Sequence, residues 1–115
     1  MDLSKKKCVS CERGLPRLSK KKALVLFKGL KHWRLSADEK SIFIEWIMKD
    51  FVSAIQLIRK IAAVAEKEGH HPDIHLTDYR KLKIVLYTHA IGGLSENDFI
   101  LAARIDRLPK RLKIA

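Results

Sequence analysis

Residues 66–98 run EKEGHHPDIHLTDYRKLKIVLYTHAIGGLSEND and contain four of the chain's five histidines. Read in order, they give the end of a helix closed by Gly69 and a paired-histidine corner at His70-His71-Pro72. Two short strands, Ile74–Thr77 and Leu82–Thr88, a Gly92-Gly93 turn and the start of a new helix follow. In the second strand Leu82, Ile84 and Leu86 share one face, which leaves His89 with the parity of Val85 and Tyr87, off the core. The histidines therefore stand at the edges of regular elements, where a scaffold can hold side chains at the mouth of a pocket.

Upstream, Asp50 is placed to cap a helix reaching Glu68, with Phe51, Ile55, Ile58, Ala62 and Ala65 recurring at helical steps as its buried stripe. Before it, Trp33–Leu35 and Ser41–Ile47 read as strands around a polar turn at Ser36–Lys40, and Ser19 to Gly29 as a short capped helix. Downstream, Ser95 and Asp98 have the spacing of a capping box, and Leu94 and Phe99 that of a hydrophobic staple. Leu101, Ile105 and Leu108 make the stripe of that last helix, which Pro109 stops. The order α-β-β-α-β-β-α predicts an α+β fold, a four-stranded antiparallel sheet with helices packed on one face. Its open edges offer a route to a homodimer or homotetramer through edge-strand pairing.

One domain is expected from 115 residues: a basic, flexible arm over 1–17, the folded unit over 18–108 and a basic tail over 109–115. The formal net charge of +11 is uneven. Residues 1–35 hold eleven Lys/Arg against two acids, residues 36–103 eight against ten, and residues 104–115 five against one. The histidine-bearing centre is thus near neutral, and the basic ends read as solvated arms, so nucleic acid is not an expected partner. No run approaches the ~18 apolar residues of a membrane span and no secretory leader is visible, so a cytoplasmic protein without a membrane partner is expected. Cys8-x-x-Cys11 is half of a zinc or redox signature in a Lys-rich leader, and both thiols are expected to be reduced and unligated.

Converging imidazoles suit a reaction needing an acid and a base near neutral pH, and dehydration is one that requires no nucleophile, redox centre or phosphate cradle. None of those is visible in the chain. Purely structural roles stand beside this one. His70 and His71 can satisfy carbonyls at a helix end, Glu66 can be a solvated helix residue, Asp98 a capping acid, and His89, like His32 and His75, a hydrogen-bonded surface histidine. Adjacent His70 and His71 cannot easily reach one ion, so no metal is expected.

Glu66-Lys67-x-x-His70-His71-Pro72, Tyr79, Thr88-His89, Gly92-Gly93-Leu94-Ser95, Asp98 and Leu101-Ala102 together resemble the signature of the pterin-4a-carbinolamine dehydratases. With Trp33, the Ile42–Trp46 segment and the long helix, the resemblance spans about residues 18–108. It implies the same element order, oligomers joined through their sheets, and removal of water from 4a-hydroxytetrahydrobiopterin to give quinonoid dihydropterin. That reaction recycles the tetrahydrobiopterin cofactor of aromatic amino acid hydroxylases without a metal or cofactor of its own. By position it implies His70, His71 and His89 as acid/base groups, Glu66 and Asp98 as their supports, and Gly69, His70, His71, Tyr87, Thr88, His89 and Ala90 as pterin contacts. Animal members have an arginine where this chain has Asn97, and Ala90-Ile91 replaces a more polar pair. The alternative reading is a non-enzymatic oligomerisation or transcriptional-coactivator-type binding module on the same scaffold.

Overall fold

Ser19, Asp50 and Ser95 decide where the three helices begin. The computed structural model describes residues 3–8 and 18–114. In it, Ser19 Oγ accepts the Lys22 N–H at 3.2 Å to open α1 (Lys20–Lys28), and Asp50 Oδ1 accepts the Ser53 N–H at 2.8 Å to open α2 (Phe51–Glu68). Ser95 stands before α3 (Glu96–Asp106). Gly69 closes α2 with φ 64°, the left-handed conformation that costs a residue with a Cβ more than glycine.

Four strands lie between these helices: β1 (Arg34–Leu35), β2 (Ile42–Ile47), β3 (Asp73–Thr77) and β4 (Lys81–Leu86). They form one antiparallel sheet in the order β1-β2-β4-β3. The expected α+β architecture is what the chain adopts. The register sets Ile42 opposite Leu86 and Ile44 opposite Ile84. All four are buried, so the even-numbered side chains of β2 and β4 form the floor on which Ala54, Leu57 and Ile61 of α2 and Phe99, Leu101 and Ile105 of α3 pack. Trp33, buried beside β1, donates its indole N–H to Asp106 Oδ1 at 2.9 Å and ties that edge to the end of α3.

One expectation about α2 needs correcting. Its buried face is Ser53, Ala54, Leu57, Ile61 and Ala65 with Ile58 half-buried, whereas Phe51, Ile55 and Ala62 are exposed. Two apolar stripes overlap in this helix, roughly 60° apart at 3.6 residues per turn, and both satisfy helical periodicity. The sheet selects the one that starts at Ala54.

The β3–β4 connection places Asp78 and Tyr79 at φ 47° and 52°, a pair of left-handed positions usually filled by Asn-Gly. Arg80 holds this turn, its guanidinium donating to Met48 O at 2.9 Å and also to Lys49 O. The two basic ends are attached as well. Leu3–Lys5 forms a 3-10 turn against α3, where Arg104 donates to Lys6 O at 2.7 Å and Lys6 Nζ meets Glu96 at 2.7 Å. Over residues 3–8 the expected flexible arm is therefore docked, because its backbone supplies an acceptor to α3; residues 9–17, with Cys11, lie outside the described part. The tail runs along the end of β2, with Lys49 N–H bonded to Arg111 O and Lys113 N–H to Ile47 O, each at 2.9 Å.

Hydrogen bonds from the Ser53 hydroxyl and Ser53 N–H hold the Asp50 carboxyl below the ordinary aspartate range. A depressed folded pKa stabilises the fold above the unfolded value and loses that contribution as pH falls through the folded one. Thermal unfolding of Asp50→Asn is therefore expected to show a shallower loss of Tm than the parent as pH drops below about 4. Parallel acid limbs in the two proteins would remove the cap from the account.

Candidate active site

The turn of α2 into β3 gives two adjacent histidines opposite fates. With Gly69 in the left-handed region, His70 N–H reaches back to Ala65 O at 3.2 Å and the His70 ring turns inward, 5% exposed. Its Nε2 lies 2.6 Å from Oδ1 of Asp98, which is completely buried. Pro72 restricts His71 to extended backbone and leaves its ring outside, where Nε2 sits 2.9 Å from Glu66 Oε2. Both partners of that pair are largely exposed, so its attraction is screened by solvent.

Asp98 is where the elements meet. Besides His70 it accepts the Thr88 hydroxyl and the Ser95 N–H, each at 2.9 Å on Oδ2. Its place in the first turn of α3 puts the carboxylate at the positive end of the helix dipole. The capping-box spacing of Ser95 and Asp98 was thus half of the matter: the same carboxylate caps α3 and clamps an imidazole from α2. Thr88 has one hydroxyl proton and gives it to Asp98, so the 2.7 Å contact with Ser95 has Ser95 O–H as donor. Ser95, read from sequence only as a helix cap, is a working part of this network. Its spacing to Asp98 was the signal.

A carboxylate only accepts, so each bridged imidazole carries its proton on Nε2 and, when neutral, leaves Nδ1 with a lone pair. Two imidazoles are thereby held in a defined tautomer by separate carboxylates, the arrangement that fits a ring to take a proton at one nitrogen while the other is steadied.

His89 comes from the other side of the network. β4 ends at Leu86, earlier than Thr88, and Thr88 N–H bonds to Gly93 O at 2.8 Å across an isolated bridge. His89 to Ile91 form one 3-10 turn closed by Gly92 at φ 59°. The His89 ring is exposed and lies 4.2 Å, centroid to centroid, from that of Tyr87. Because Thr88 is fixed to Asp98, the backbone carrying His89 and the ring of His70 are anchored on one carboxylate. Gly69 and Ala90 flank the two histidine corners, both exposed. A hollow of about 360 Å³ adjoins the His89 turn, lined by Asp38, Lys40, Ser41, Val85, Tyr87 and Gly92; none of the three histidines is in its lining. Among the described residues no three His, Cys, Asp or Glu side chains are grouped so as to hold a metal ion.

These features define an α+β protein in which two helix-end imidazoles, His70 and His71, are each paired with a carboxylate and a third, His89, stands past the end of β4 against Tyr87. The family model described as "Pterin 4 alpha carbinolamine dehydratase" matches residues 16–108. The chain belongs to that family. It is 43% identical over 110 residues to "Pterin-4-alpha-carbinolamine dehydratase 2, mitochondrial" of Arabidopsis thaliana, covering 93% of this chain and 59% of that protein, so it spans little more than half of that relative's length. It is 37% identical over 108 residues to a "Putative pterin-4-alpha-carbinolamine dehydratase" of Halorhodospira halophila, covering 94% of this chain and 98% of the relative. The crystal structure of a "transcriptional coactivator/pterin dehydratase" from Brucella melitensis superposes with a TM-score of 0.74 at 26% identity, over 79% of this chain and 96% of that one.

Proposed function

We propose that this protein removes water from 4a-hydroxytetrahydrobiopterin to give quinonoid dihydropterin, and so recycles the tetrahydrobiopterin cofactor of aromatic amino acid hydroxylases. The observation that carries the reading is the Asp98 hub, with the His70 ring on one oxygen and, through Thr88, the turn bearing His89 on the other. In the reaction the C4a–O bond breaks as one group protonates the departing hydroxide, and another group takes the N5 proton as the N5–C4a double bond forms. His70, His71 and His89 supply these transfers, with Glu66 and Asp98 steadying the first two rings and Gly69, Tyr87, Thr88 and Ala90 forming the surface against the pterin. No cofactor or metal enters the proposal.

The test is a direct dehydration assay on freshly generated carbinolamine. Decay of the substrate well above its spontaneous rate is expected at catalytic amounts of protein; decay at the background rate would leave the coactivator-type binding role that the Brucella protein's name also carries.

The same reading places the protein in the cytoplasm as a homo-oligomer. None of the described helices is long and apolar enough to cross a membrane. The proposed contact is the β3 edge, which is hydrogen-bonded to β4 on one side only within the chain. Light scattering is expected to return at least twice the 13.2 kDa chain mass, and a monomer mass at working concentrations would remove that proposal.

A further inference from the structure

The basic residues near the carboxyl end are not spread along a free tail. Lys49 from the β2–α2 connection, Arg80 from the β3–β4 turn, and Lys110, Arg111 and Lys113 line one hollow of about 810 Å³. Three separated segments converge there because the tail is bonded to the end of β2 and the Arg80 guanidinium is bonded to Met48 O and Lys49 O. Two acids lie beside these cations, Asp50 near Lys49 and Arg111 and Asp106 near Lys110, while Asp78 is paired with Lys81 at 3.6 Å, so positive charge stays in excess around the hollow. The remaining lining is aliphatic, Leu112 at 41% exposure and Ile114 at 92%. Neither the dehydration chemistry nor the His70–Asp98 network uses any of these residues.

We infer that this face docks the protein on an anionic lipid surface, with Lys49, Arg111 and Lys113 at the phosphate level, Arg80 and Lys110 held by backbone carbonyls behind them, and Leu112 and Ile114 entering the interface. Exposed aliphatic side chains among clustered cations fit that partner, since a bilayer supplies both negative headgroups and an apolar layer beneath them. A nucleic acid would reward the cations but offers Leu112 and Ile114 no apolar layer to enter, and the rings nearest the hollow, Tyr79 and Trp46, already lie under Arg80 and Lys110. A second copy pairing through the same face would set five cations against five. The expectation of no membrane partner came from the lack of a spanning segment, and peripheral docking needs none.

Co-sedimentation of the full chain at low salt tests this, with phosphatidylcholine vesicles and with phosphatidylcholine vesicles containing phosphatidylglycerol. Binding to the second and not the first is expected, weakening as salt is added. Arg111→Glu with Lys113→Glu is expected to weaken it by at least about thirtyfold. Ile114→Ser, at a position with almost no contacts to lose, is expected to weaken it several-fold while the circular dichroism spectrum and dehydration rate stay as in the parent. No binding to the anionic vesicles would overturn the inference. So would binding that is indifferent to Ile114→Ser and matched by duplex DNA at the same salt, which would make the face a general polyanion site.

Discussion

Replacing His71 or His89 by alanine is expected to lower the rate of carbinolamine dehydration by ~10² to 10⁴ in each case, with the fold unchanged. Both rings are exposed, so truncation opens no cavity, and neither takes part in the Asp98 network. The loss should fall on kcat more than on KM, because a proton-transfer group acts mainly in the transition state. The two sites are not equivalent in support. His71 has its Nε2 proton directed at Glu66, whereas His89 packs its ring against Tyr87. Steady-state rates on fresh substrate, together with unfolding curves for each variant, check the expectation. Turnover like the parent's in both variants would refute the assignment of these histidines.

Most of the fold could be read from local chemistry, since Ser19, Asp50, Gly69 and Ser95 are each placed where backbone geometry rewards them, and strand alternation in β2 and β4 is strict. The face of α2 could not be read in the same way. Phe51, Ile55 and Ala62 satisfy the helical period as well as Ala54, Leu57 and Ile61 do, and only the sheet beneath distinguishes them. The end of β4 was hidden for a different reason: Thr88 keeps the parity of Leu82, Ile84 and Leu86 and is buried like them, but it pairs with Gly93 five residues on instead of continuing the ladder. At the site, the types and spacing of Glu66, His70 and Asp98 were visible. That His70 would be buried on Asp98 while His71 stayed outside on Glu66 was not, because adjacent residues separate only once Gly69 and Pro72 have set the backbone.

Asp98→Ala carries the largest expected cost in stability. The substitution leaves the His70 ring, the Thr88 hydroxyl and the Ser95 N–H without their common acceptor in a place closed to water. Each buried donor left without its acceptor costs about 1–3 kcal/mol, and three are left here, so a loss of about 3–5 kcal/mol is expected once the site has partly relaxed. At roughly 4 °C per kcal/mol for a domain of this size, Tm should fall by roughly 12–20 °C. Activity should fall too, and Asp98→Asn separates the two effects. The amide keeps the volume and one acceptor oxygen but turns an NH₂ toward at least one of the same donors, so part of the stability returns. The His70 imidazole, however, loses the carboxylate that fixes its tautomer. The expected signature is an Asn variant that is folded at assay temperature yet has a lowered kcat. A parent-like kcat in a folded Asp98→Asn protein would show that this carboxylate serves only to cap α3, and would remove the hub from the catalytic proposal.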